Sequence, residues 1–168
     1  KNYKISGLDD IITYKKNKKN GIFNKYNFLK YIKITGNYKD DKLHGIISFF
    51  IGNKIIKTIQ MSNNIMNGKY IEYNDNKKVY FFKNNKLNGY YTEYTYTKSV
   101  KYKIKFCENM FGNIFKVYDI YGDLDKEYLF IDNDYIIKKY VNNNLLFILH
   151  KISDNYYISY NNIKINFY

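Results

Sequence analysis

Short alternating runs of apolar and polar residues recur along the chain and predict β-strands. In residues 100–106, Val100, Tyr102, Ile104 and Phe106 alternate with lysines, so a strand here has one apolar and one cationic face. The C-terminal residues 163–168 alternate in the same way. Clusters of Asn, Asp, Lys and Gly, such as residues 74–78 and 121–123, separate the runs and predict turns. Helical spacing is almost absent, so the pattern predicts an all-β protein.

The alternating runs fall into units of 21 to 24 residues. One glycine marks each unit: Gly21, Gly45, Gly68, Gly89 and Gly112. An apolar residue precedes four of them by two positions: Leu43, Met66, Leu87 and Met110. Large apolar or aromatic residues follow two and five positions later, at Phe23 and Tyr26, Ile47 and Phe50, Tyr70 and Tyr73, Tyr91 and Tyr94, and Ile114 and Val117. A fixed period of this size predicts a structural repeat rather than an irregular series of turns.

Elementary backbone chemistry suggests how such a unit folds. Glycine adopts a positive φ at little cost, so we expect the repeat glycines where one hairpin ends and the next begins. A single hairpin is marginal in water, so we expect neighbouring hairpins to bury one another's faces. Positions two and five after the glycine have opposite parity in a straight strand. Either a bulge lies between them, or both faces of the sheet are partly covered.

The unit N-x-L-N-G-x-Y-x-E-Y, with a polar turn and a second strand after it, resembles the MORN repeat, in particular its divergent antitoxin-like and viral variant. The resemblance covers residues 19–118 and is strongest in residues 65–73 and 87–94. It implies an elongated row of antiparallel β-hairpins that serves as a scaffold or contact surface, without shared catalytic residues. Residues 1–18 are then a lead-in strand or cap, and residues 119–168 are degenerate repeats or an atypical C-terminal β cap.

The chain is strongly basic and unusual in composition. Its 28 basic residues are all Lys, it contains 22 Tyr and no Pro or Trp, and its net charge is +13. AT-rich codons specify Lys and Tyr, so the composition fits an AT-rich bacterium, a protist or a giant virus. Solvated strand faces explain much of the charge; the alternative is a surface for nucleic acid or anionic lipid. The candidate residues for such a surface are Lys15, Lys16, Lys18, Lys19, Lys101, Lys103 and Lys105. Without Arg, sequence-specific reading of guanine is not expected.

Few residues suggest catalysis or metal binding. His44 is predicted to be a turn residue, His150 has no acidic partner at a ligand spacing, and Cys107 follows an alternating strand. Residues 119–134 are rich in acids, and Asp123, Asp125 and Glu127 would share a face of a strand. They are expected to offset lysines; the alternatives are a Ca²⁺ site and a hydrolase site, although an EF-hand pattern is missing. We therefore predict no enzyme activity, no metal site and no cofactor.

The expected function is contact with other proteins, and sheet edges allow self-association. Nucleic acid or acidic phospholipid is the alternative partner. No apolar run reaches the length of a membrane span, so we predict no transmembrane segment and a cytoplasmic, virion-associated or virus-factory-associated protein.

Overall fold

The protein is built from antiparallel β-strands, which confirms the predicted fold class. The computed structural model describes residues 2–6, 10–27, 29, 31–131, 134–152, 155–160 and 163–167, and these residues contain strands and turns but no helix. The chain divides into two units, Lys1–Asn88 (unit 1) and Gly89–Tyr168 (unit 2).

Each unit is a meander in which each strand pairs with the next one along the chain. The strands of unit 1 are β1 (Asn2–Ser6), β2 (Ile11–Lys15), β3 (Lys18–Tyr26), β4 (Ile32–Lys39), β5 (Lys42–Ile51), β6 (Lys54–Ser62), β7 (Ile65–Tyr73), β8 (Lys77–Lys83) and β9 (Lys86–Leu87). The strands of unit 2 are β10 (Gly89–Tyr94), β11 (Val100–Cys107), β12 (Met110–Tyr118), β13 (Leu124–Ile131), β14 (Asp134–Val141), β15 (Asn144–Ile152), β16 (Asn155–Tyr160) and β17 (Ile163–Phe167).

Two-residue turns with a positive φ at both residues close the hairpins of unit 1 at one end of its strands, and we call this line of turns the turn edge. They are Lys16–Asn17, Asp40–Asp41, Asn63–Asn64 and Asn84–Asn85. Unit 2 has the same kind of turn at Glu108–Asn109 and Asn142–Asn143. Positive φ at both positions is the property of type I′ turns, whose twist matches that of the strands they join. Asn and Asp tolerate this conformation, which explains how hairpins close here without glycine.

The second residue of a turn also bonds to the preceding hairpin. The backbone N–H of Leu43 donates to Oδ1 of Asn64 at 2.7 Å, and the N–H of Asn64 donates to the carbonyl of Leu43 at 3.0 Å. Asp41 forms the same reciprocal pair with Lys19, and Asn85 forms it with Met66. We call these three reciprocal pairs turn locks. They tie each turn to a backbone position in the preceding hairpin, 19 to 22 residues back, and therefore give a physical reason for the regular period.

The repeat glycines lie in strands rather than at the junctions between hairpins, so their predicted location was wrong. Four of them do take a positive φ: Gly21 at 107°, Gly45 at 79°, Gly68 at 117° and Gly89 at 114°. Gly112 does not share it.

Gly68 illustrates what these glycines do. Ile59 pairs with Tyr70 and Met61 with Met66, so three residues around Gly68 lie opposite the single residue Gln60 and form a bulge. The Gln60 side chain occupies the space that a Cβ at Gly68 would need.

Partial cover on both faces of the sheet answers the parity problem. The register shifts near position five place the extra residue in the neighbouring strand: Ile56 of β6 opposite Phe49 and Phe50, and Lys101 of β11 opposite Glu93 and Tyr94. The strands β5 and β10 therefore keep their alternation between positions two and five. In β7 the register is regular, and the half-buried Tyr70 and Tyr73 lie on opposite faces.

The apolar core is shallow. Among the described residues only Phe23, Ile47 and Val79 are buried apolar side chains, with 3%, 5% and 8% exposure. Gly36 of β4 lies between Phe23 and Ile47, and a Cβ at this position would overlap both side chains. Most other apolar residues of the strands are half-buried, because each unit is a meander whose strands contact their sequence neighbours.

Candidate interaction surfaces

The tyrosines two positions after the repeat glycines are held by a local carboxylate. The Tyr70 hydroxyl donates to Oε1 of Glu72 at 2.9 Å, and the Tyr91 hydroxyl donates to Oε2 of Glu93 at 2.6 Å. Burial, reinforced by the hydrogen bond with Glu72, raises the pKa of Tyr70 to about 12. Tyr70 also packs edge-on against the ring of Tyr80, with centroids 5.3 Å apart. Tyr70 therefore links β7 to β8, which is the kind of contact that the repeat pattern suggests.

Many lysine side chains on the strands lie over aromatic rings. Lys57 Nζ is 4.4 Å from the ring centroid of Phe49, and Lys33 Nζ is 5.5 Å from that of Phe50. Such cation–π contacts stabilise a sheet locally and cover ring faces. Because lysine occupies these faces, they are poor platforms for stacking of single-stranded bases.

The seven lysines predicted as a binding surface are divided between the two units. Lys15, Lys16 and Lys18 are exposed at the β2–β3 turn of unit 1, and Lys19 is half-buried with its Nζ 5.3 Å from the ring centroid of Tyr38. The remaining three belong to β11 of unit 2.

Two of the three lysines of β11 are already engaged within unit 2. Lys101 lies over the Tyr102 ring and 3.8 Å from Oε1 of Glu93, and Lys103 Nζ is 4.5 Å from the ring centroid of Tyr90. Lys105 is exposed.

The acidic residues of β13 are paired with lysines. Glu127 Oε1 lies 3.0 Å from Lys116 Nζ, and its Oε2 lies 3.0 Å from Lys138 Nζ. Burial opposes ionisation of Glu127, but the hydrogen bonds from the two lysines prevail and hold its pKa below the ordinary value. Asp125 pairs with Lys139.

The neighbouring acids Asp119 and Asp123 lie at the β12–β13 turn, and Asp134 is the first residue of β14. Asp123 accepts a hydrogen bond from Nδ2 of Asn143 at 2.6 Å. In the part of the chain that the structure describes, no three His, Cys, Asp or Glu residues are placed to hold a metal ion. Asp132, a further residue of the predicted acidic stretch, lies outside the described residues.

The two histidines and the cysteine belong to three different strands. His44 lies in β5 and not in a turn, which corrects the prediction made for it, because the turn ends at Asp41. Its Nδ1 is buried and has no hydrogen-bond partner among the described residues. His150 Nε2 lies 3.4 Å from Ser159 Oγ, and Cys107 is exposed at the end of β11.

Six lysines form cross-strand pairs at the turns of unit 1, and only two of them, Lys15 and Lys18, were predicted from the sequence. Lys15 pairs across the hairpin with Lys18, Lys39 with Lys42, and Lys83 with Lys86. All six side chains are exposed. In the sequence, each pair appears as a lysine on either side of two turn residues, in KKNK, KDDK and KNNK. This pattern indicates a cross-strand pair only when the two middle residues are recognised as a type I′ turn.

Exposed isoleucines form a second repeated feature of unit 1. Register shifts place Gly21 and Gly45 in bulges like that at Gly68. Ile22 and Ile46 directly follow these two glycines and are 58% and 60% exposed. Each lies two residues before a member of the cross-strand row Asn24, Thr35 and Ser48, so the two isoleucines lie on one face of the sheet. We call Ile22 and Ile46 the isoleucine pair.

Comparisons with known proteins do not assign this chain to a family. None of the protein-family models matches the chain, and a search of curated proteins also finds no match. In the described parts of the chain, no helix combines the length and the apolar character needed to cross a membrane.

Proposed function

We propose that this chain is a non-catalytic, MORN-like β-hairpin repeat module that acts by contact with a protein partner. The observation that supports this proposal best is the isoleucine pair. Two large aliphatic side chains recur at the same position of two successive repeats, on one face, and remain mostly exposed. Complete burial of one such side chain in an interface is worth about 1.5–3 kcal/mol.

The bulges explain why these side chains project from the sheet. A bulge adds residues to one strand, bends it and redirects the local side chains. In the next repeat the equivalent residue is Lys69, whose Nζ lies 5.8 Å from the ring centroid of Phe81. The partner surface is therefore expected to be apolar opposite the isoleucine pair and to tolerate a cation beside it.

The non-catalytic part of the proposal is supported by the pairing of the acidic residues. A hydrolase site at β13 requires a carboxylate that is available to a metal ion, a water molecule or a substrate. The carboxylates of Asp125 and Glu127 instead form ion pairs with lysines of neighbouring strands. We therefore place the function at the surface of the repeats.

Quantitative partner capture tests the proposal. The double variant Ile22→Ser/Ile46→Ser is compared with the wild type in a pull-down from native extract, and the mass of the purified chain is measured by light scattering over a range of concentrations. The matched control is Ile51→Ser/Ile55→Ser, which removes two less exposed isoleucines. Loss of a captured protein, or of self-association, in the first double variant alone is the expected result. Equal retention by both variants contradicts the proposal.

A further inference from the structure

The three cross-strand lysine pairs of unit 1 lie along the turn edge, where the two-residue turns close the hairpins. Each pair flanks a two-residue turn: Lys15 and Lys18 at β2–β3, Lys39 and Lys42 at β4–β5, and Lys83 and Lys86 at β8–β9. We call these six residues the lysine rail. At the intervening β6–β7 turn, Ser62 and Ile65 take the flanking positions.

The rail is costly to the isolated fold. Like charges directly opposite each other on paired strands destabilise a sheet. In the described residues, Lys15, Lys18, Lys39, Lys42 and Lys83 form no ion pair. Salt bridges described in unit 2 engage Lys101, Lys116, Lys138 and Lys139, so lysines there are neutralised in a way that these rail lysines are not.

The turn locks hold the rail in position. Successive turns on this edge are two strands apart, which is roughly 9.5 Å at the usual strand spacing. The locks connect the turn at Asp41 to Lys19, the turn at Asn64 to Leu43, and the turn at Asn85 to Met66. The outermost lysine pairs are therefore roughly 29 Å apart along the edge, which is six strand spacings.

We infer that the lysine rail binds the sugar–phosphate backbone of nucleic acid, without reading its sequence. A duplex has about one charge per 1.7 Å, so the length of the rail spans roughly 17 phosphates, more than enough for six lysines without a special register. Lysine supplies point charges suited to phosphates, whereas the bidentate guanidinium contact to guanine is absent because the chain has no Arg.

The composition of the turns favours nucleic acid over a membrane surface. The residues at the tips of the four turns are Lys, Asn and Asp, with no apolar or aromatic side chain to enter the lipid interface. The lysine pairs follow one line, which matches a linear polyanion. This edge is separate from the isoleucine pair, so the inference stands without the proposed protein contact.

Binding is measured by fluorescence anisotropy with a labelled duplex and a labelled oligo-dT strand, over a series of salt concentrations. The rail variant replaces Lys15, Lys18, Lys39 and Lys42 with Gln. The control variant makes the same charge change at other exposed positions: Lys25, Lys54, Lys77 and Lys98. Four lost phosphate contacts are expected to reduce the slope of log K against log salt by about 3.6 for the duplex and about 2.8 for the single strand.

We expect the rail variant to lose at least about tenfold in affinity at low salt, and the control variant to change much less. Thermal unfolding of the rail variant should be unchanged or shifted upward, because the substitutions remove like-charge repulsion. Conversely, Ser62→Lys/Ile65→Lys fills the gap in the rail and should tighten binding and steepen the salt dependence. This variant tests the inference by a gain of binding rather than a loss.

Three results would overturn the inference. The first is equal loss in the rail and control variants, which means diffuse charge. The second is no binding by the wild type at low salt. The third is rail-dependent binding to vesicles of phosphatidylserine and phosphatidylcholine without binding to either nucleic acid, which means that the partner is a membrane.

Discussion

The turn lock at Asn64 makes a quantitative prediction about the stability of the repeat. Asn64 accepts from the N–H of Leu43 at 2.7 Å through its side chain, and its φ is 67°. Two contributions can therefore be separated by substitution. One is the hydrogen bond, worth about 0.5–1.5 kcal/mol net. The other is the cost of a left-handed backbone, about 1–2 kcal/mol for an ordinary L-residue and small for Gly or Asn.

Three variants of Asn64 should form an ordered series. Asn64→Asp keeps the acceptor, as Asp41 does in the preceding repeat, and should stay near the wild type in free energy of unfolding. Asn64→Gly keeps the backbone conformation but removes the acceptor and should lose about 1 kcal/mol. Asn64→Ala loses the acceptor and adds backbone strain, so it should lose about 2–3 kcal/mol.

The first residue of the same turn supplies the matched control. Asn63 also has a positive φ, of 52°, but it has no turn lock. Asn63→Gly should therefore be close to neutral, while Asn63→Ala should show only the backbone cost of about 1–2 kcal/mol.

Urea unfolding followed by circular dichroism gives the free energies, and thermal melts should shift by about 2–4 °C for each kcal/mol. The reasoning is refuted if Asn64→Gly and Asn63→Gly are equally stable, because the lock then contributes nothing. It is also refuted if Asn64→Asp is as unstable as Asn64→Ala.

Three further predictions concern the core and two titrating groups. Gly36→Ala should destabilise the protein by about 1–3 kcal/mol in urea unfolding, because the added methyl overlaps Phe23 and Ile47; a neutral result would mean that these side chains can move apart. Glu127→Gln should lower the melting temperature at neutral pH, because a carboxyl group whose pKa is depressed in the folded state stabilises the fold while it is ionised. The difference in melting temperature from the wild type should vanish as the pH falls through the lowered pKa of Glu127. A difference that does not depend on pH would contradict this. Tyr70→Phe should remove a phenol that ionises near pH 12 in an ultraviolet titration. The raised pKa should stabilise the wild type fully below pH 10, and this effect should be lost between about pH 10 and pH 12. Ionisation of Tyr70 near pH 10 would show that neither its burial nor its hydrogen bond to Glu72 is present.

Strand identity was largely readable from residue types. The alternating lysines and apolar residues of 100–106 lie in β11, and the run KKVYFFK is β8. Tyr, Ile, Phe and Thr favour a half-buried pleated surface in any context, and period-two alternation has a direct geometric meaning. The spacing of the repeat glycines could also be interpreted from the sequence, because a constant period indicates a repeated structural unit.

The surfaces were harder to predict because they depend on pairing between strands. The first four lysines proposed from sequence included Lys16 and Lys19, which are adjacent to others in the chain but do not belong to the cross-strand pairs. Lys39 and Lys83 were overlooked, although the structure gives them the same environment as Lys15. Adjacent residues on a strand point to opposite faces, so clustering along the sequence is a poor guide to clustering on a sheet.

The sequence by itself determined the all-β class, the clearest alternating strands such as β11, and the length of the repeat, because these follow from alternation, from β propensity and from regular spacing. Only the tertiary structure decided where the glycines act, which Asn and Asp residues lock one hairpin to another, and which lysines face each other. Those features depend on register, and a bulge changes register without leaving a distinctive residue pattern beyond the glycine itself. The sequence pattern marks Gly68 as a repeat position, but the Gln60 side chain that lies against it belongs to β6. In the same way, the partner of Asn64 is Leu43, which lies on β5.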